Sequence, residues 1–126
     1  MVTTTSNLET LHFDHRLWAN ELSFFADELG IFEHRLEELS VKAGAEGARS
    51  QLEQFQNQFI RQREVLDELK HNIKVHEQKL GQALQKQEEL PLDPDFHNYM
   101  EEQMATYRAL YTELKQKFYA FLSAHR

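Results

Sequence analysis

The chain has no cysteine, only two prolines and only four glycines among its 126 residues. Without cysteine, disulfides, thiolate nucleophiles and thiolate metal ligands are excluded together, and a reducing, cytoplasmic setting is the natural expectation. The two prolines stand close together, at Pro91 and Pro94. So little punctuation leaves room for few turns, so long helices are expected. No uninterrupted apolar run is long enough to cross a bilayer. Met1 to Asn7 carries no basic region and no apolar run, so a secretory signal is not expected there. The formal net charge is −7. Nucleic acid and anionic membrane both reward clustered Lys and Arg, so neither is an expected partner. Residues 1–42 hold eight acids against three bases and so carry most of the acidic excess.

What the chain does have is periodicity. Ser6-Asn7-Leu8-Glu9 reads as a capping box, in which a serine side chain and a glutamate satisfy the free N–H groups of a first turn. Apolar residues then recur at Leu8, Leu11, Trp18, Leu22, Phe25, Leu29, Phe32, Leu36 and Leu39, with His15 filling one gap. Alternating spacings of three and four make this an a/d heptad pattern with position a at 8, 15, 22, 29 and 36. Gly44 and Gly47 mark a connection, and Ser50-Gln51-Leu52-Glu53 reads as a second capping box. The second seam is Leu52, Phe55, Phe59, Gln62, Leu66, Leu69, Ile73, His76, Leu80, Ala83, Gln87 and Leu90. Pro91 must end that helix. Asp93 and Pro94 then suit the cap and first position of a third helix. Its seam is Met100, Met104, Tyr107, Tyr111, Leu114, Phe118 and Phe121, continued at its ends by His97 and His125.

The expected fold is all-α: a single domain over 1–126 with helices at about 7–42, 48–90 and 94–124. Short connections make neighbouring helices antiparallel, giving an elongated up-down-up bundle with coiled-coil-like packing.

The first helix carries more apolar surface than its seam needs. Phe13, Leu17, Phe24 and Ile31 fall at heptad positions f and c, well away from a. A lone three-helix bundle would leave much of that stripe wet, and an exposed apolar stripe marks a protein interface. Self-association through this helix, or docking of another helical protein, is the leading expectation. The alternative is that the first helix is central and wrapped by both others. Nearby acids Glu21, Asp27 and Glu28 weigh against pairing two copies of it.

Two polar residues at seam positions suggest a second possibility. If Leu39 faces about Leu52 across the turn, His15 faces His76. Tyr107 or Tyr111 should then stand at the same level on the third helix, completing a buried polar layer. Such a layer fixes register, as buried polar groups at a and d positions do. Neutral imidazoles in a bundle core also suit a transition metal or small ligand. The candidate ligands are His15 and His76, with His12 one turn away and Asp14 or Glu77 at the flank. Glu9-Thr-Leu-His12 and Glu68-Leu-Lys-His71 share the Glu-x-x-His spacing of diiron carboxylate bundles. The second string occupies c and f, away from the seam, so no diiron site is expected.

Nothing else points to chemistry. No glycine-rich loop follows a strand, the serines at 6 and 50 read as caps, and the paired glutamates lie on solvated faces. A non-enzymatic role with no required cofactor is therefore expected. Lys70, Lys74, Lys79 and Lys86 form a modest basic run that should answer acids on the first helix or stay solvated.

Overall fold

The computed structural model describes residues 4–42, 45–85 and 94–125. The described residues are all-α and form three helices: α1 over Thr4–Ser40, α2 over Arg49–Gln85 and α3 over Pro94–Ala124. A short 3₁₀ turn, Ala45–Ala48, runs directly into α2. At a rise of about 1.5 Å per residue, α1 and α2 are each roughly 55 Å long. None of the described helices is long and apolar enough to cross a membrane.

Two boundary expectations change. The first helix includes Thr4, so Ser6 lies within its first turn and is not its cap. Ser50 is likewise inside α2, because the 3₁₀ turn has already begun winding the chain before Arg49. The end of α2 near residue 90, the Asp93 cap and the Gly44 turn lie outside the described residues, as do the side chains of Leu8 and Ala83.

The buried side chains follow the three-four spacing. On α1 they are Trp18, Leu22, Leu29, Phe32, Leu36 and Leu39, with Phe25 half-buried. On α2 they are Leu52, Phe59, Leu66, Leu69, Ile73 and Leu80, and on α3 Met100 through Phe121 at the same intervals. Contacts give the directions of the helices. As numbers rise along α1, partners on α2 fall, from His15 with Glu77 to Glu33 with Arg63. Partners on α3 rise instead, from Asp14 with His97 to Glu28 with Lys115.

The core differs from end to end. Near the α1–α2 connection it is aromatic: the Phe118 ring lies 5.5 Å from Phe32, 5.3 Å from Phe55 and 5.0 Å from Phe59. Midway, Tyr107 donates to the Gln62 main-chain oxygen at 3.3 Å. There Tyr111 donates to Glu28 at 2.5 Å, and Lys115 donates to the other oxygen of that carboxylate at 3.0 Å. At the far end a buried histidine, His15, enters the core beside Trp18, with His76 and His97 half-buried around it.

The middle level predicts an alkaline weakness. Burial, the larger cause, and the hydrogen bond to Glu28 both push the Tyr111 phenol above its usual value; burial does the same for Tyr107. The hydrogen bond to Glu28 also raises Lys115. In the fold these groups hold protons that the unfolded chain releases near pH 10. Their contribution is therefore complete below about pH 10 and is lost as pH rises above it. Urea midpoints should fall above that pH. Tyr107→Phe with Tyr111→Phe should flatten the tyrosine share of the decline; an unchanged slope would show that these phenols do not carry it.

Candidate functional site

The polar end is assembled from all three helices. His15 lies inside the core, with 2% of its surface exposed. Its ring stands 5.0 Å from that of His76 on α2, nearly perpendicular to it. Next to His76 on α2, Glu77 reaches back to α1 with both carboxylate oxygens. His15 Nδ1–H donates to Oε1 at 2.6 Å and His12 Nδ1–H donates to Oε2 at 2.9 Å. An ionised carboxylate only accepts, so each of these bonds needs the ring proton on Nδ1. Helical geometry explains why one carboxylate reaches both rings: residues three apart stand on the same face of α1.

Two residues of α3 close the cluster. Phe96 stacks on His76 with ring centroids 4.1 Å apart. His97 packs 5.3 Å from Trp18, and its Nε2 lies 3.2 Å from Asp14 Oδ2. Its Nδ1 is buried without a hydrogen-bond partner among the described residues. Four imidazoles and two carboxylates therefore gather at one end of the bundle.

The layer expected from the seams is corrected on α3. His15 and His76 come together, but Tyr107 and Tyr111 are not with them. Tyr111 packs on Phe25, 4.4 Å between centroids, about ten residues further along α1. The reason is register. The first turn of α3 already reaches the level of His76 through Phe96, so Tyr107 and Tyr111 fall about 16 and 22 Å beyond it. Phe96 and His97 take their place. His97 was visible only as a continuation of the third seam, and its chemistry follows from that register.

As a metal centre the cluster has limits. Among the described residues, no group of three or more histidine, aspartate, glutamate or cysteine side chains is arranged to hold an ion. His12, His15 and Glu77 are the nearest approach to a nitrogen–oxygen donor set, with both Nδ1 atoms turned onto the carboxylate. His76 contributes ring packing to His15 and Phe96.

The stripe on the first helix is a separate surface. Phe13 is 59% exposed, Leu17 51%, Phe24 58% and Ile31 67%. The wrapped alternative thus fails at these four positions, since α2 and α3 cover the opposite face. Phe13, Arg16, Leu17, Ala19, Asn20 and Ser23 line an open groove along it. The acids that weighed against pairing are mostly engaged. Glu21 accepts twice from Arg108 Nε, at 2.9 and 2.7 Å, and Glu28 is held by Tyr111 and Lys115. Asp27 stays exposed.

Family models, curated proteins and solved structures yield no match to this chain.

Proposed function

We propose that this chain is a non-enzymatic interaction bundle that self-associates through α1. One observation carries the reading: four large apolar side chains on a single helix face are each more than half exposed. Isolated exposed apolar residues are ordinary on protein surfaces, but a contiguous run of them is the mark of an interface. The match of Glu21 and Glu28 with bases of α3 removes much of the like-charge penalty that two such faces would meet.

A second reading rests on the convergence of His12 and His15 on Glu77, with His76 and His97 beside them. In it, the polar end binds a transition metal or a small polar ligand, using nitrogen and oxygen donors.

One sample separates the two. Light scattering at micromolar concentration should give a multiple of the chain mass. Phe24→Glu with Ile31→Glu should return the monomer while leaving the helical circular-dichroism signal in place. A monomeric unmodified protein would sink the first reading. Metal bound stoichiometrically to the same sample, and lost in His15→Leu, would favour the second.

A further inference from the structure

We infer that the partner on α1 is a second copy lying antiparallel to it, with Arg16 of each copy paired to Asp27 of the other. This rests on the self-association reading and adds its geometry. It follows from which charges on α1 the chain has already matched.

The stripe is bordered by two flanks. One carries Asp14, Glu21 and Glu28, and each of these meets a side chain of α3: His97 at 3.2 Å, Arg108 at 2.7 Å and Lys115 at 3.0 Å. The other carries Glu9, Arg16, Asn20, Ser23, Asp27 and His34, all exposed. Among the described residues, neither Arg16 nor Asp27 forms an ion pair within the chain, while the remaining exposed base of α1, Arg35, has Glu38 at 3.7 Å. Arg16 also lines the groove beside Phe13 and Leu17.

An isologous two-fold pair makes residue i of one copy meet j of the other, and j meet i. When two helices pair antiparallel, each flank meets the same flank of the partner. Facing residues then have a constant sum. With that sum at 43, Arg16 faces Asp27, Glu9 faces His34 and Asn20 faces Ser23. The flank is complementary to its own reversal. In nearly the same register Phe13 lies opposite Ile31, with Leu17 and Phe24 filling the middle of the seam. A parallel pair instead sets this flank against the one already matched by α3, leaving Arg16 and Asp27 without a free opposite charge. Complementary charges across an interface fix its register in this way.

Because the chain has no cysteine, single introduced cysteines report the geometry directly. Glu9→Cys and His34→Cys lie about 37 Å apart along the helix and leave the stripe intact. A short bismaleimide should link the two variants when they are mixed, and should link neither alone. Linking within each single-variant sample would show a parallel pair and overturn the inference. A dimer by light scattering that links in none of the samples would place the interface elsewhere and overturn it too. A monomer would instead overturn the reading it rests on. Arg16→Glu and Asp27→Arg should each weaken the dimer about 3- to 30-fold, since symmetry reverses two exposed pairs at once. Both changes in one chain should restore affinity. Absence of that rescue would count against the Arg16–Asp27 pair.

Discussion

Phe118→Ala is expected to lower the unfolding free energy by about 3–5 kcal/mol, the range for truncating a buried phenylalanine. Phe118 is fully buried. Its ring meets Phe32 of α1, Phe55 and Phe59 of α2, and Phe121 of its own helix 6.5 Å away. The hole left by alanine is therefore bounded by all three helices. No single helix can close it without losing its packing one turn above and below. Domains of this size are stable by only about 5–15 kcal/mol, so the variant should be near unfolding at moderate temperature. In urea the midpoint should drop sharply with the slope unchanged. Phe24→Ala is the matched control when both variants are unfolded at concentrations below that at which the chain self-associates. Its ring is more than half exposed, and the monomer should change by about 0.5 kcal/mol or less. A Phe118→Ala midpoint close to that of Phe24→Ala would mean that the aromatic end does not hold the bundle together.

That contrast also shows what the sequence disclosed. Heptad spacing separated Phe118 from Phe24 because position along a helix fixes which face a side chain occupies. The three helices, their cores and the stripe follow from such local spacing. The facing of His15 and His76 followed from a short turn. The level of α3 did not, because the offset between helices that are distant along the chain depends on the path of the connection, which periodicity does not record. Tyr107 and Tyr111 were consequently set too near His15, and the contribution of His97 was missed. Charge pairing was equally hidden. Among the described residues, Lys70, Lys74 and Lys79 of the basic run on α2 form no ion pair with the acids of α1, and Lys74 and Lys79 are exposed, which fits the solvated alternative; Lys86 lies outside the described residues. Arg63, Arg108 and Lys115 answer them instead, two from α3. Which acid meets which base depends on the same offset, so it became visible only with the fold. The capping boxes at Ser6 and Ser50 were local signals too, but α1 already begins two residues before Ser6 and a 3₁₀ turn leads into α2 before Ser50.

Glu77→Leu is expected to cost about 1–3 kcal/mol, the penalty for leaving a buried donor without an acceptor. The donor is His15 Nδ1–H, in a ring almost wholly removed from water, and Glu77 is its acceptor at 2.6 Å. The companion bond to His12 should add little, because that ring is 54% exposed and water can replace the carboxylate. His15→Leu alone should also destabilise, by leaving one Glu77 oxygen without its core partner. The two changes together should cost less than their sum, since apolar replacement of both members removes the unmet donor and acceptor at once. Urea midpoints of the four proteins close this cycle. Additive losses would mean that His15 and Glu77 do not act as a pair. The cycle also bears on function. If the polar end only fixes register, the doubly substituted chain should keep its oligomeric state and any bound partner. If the polar end holds a metal or small ligand, that chain should stay folded and lose the ligand, which separates a binding role from a structural one without relying on the stability of any single variant.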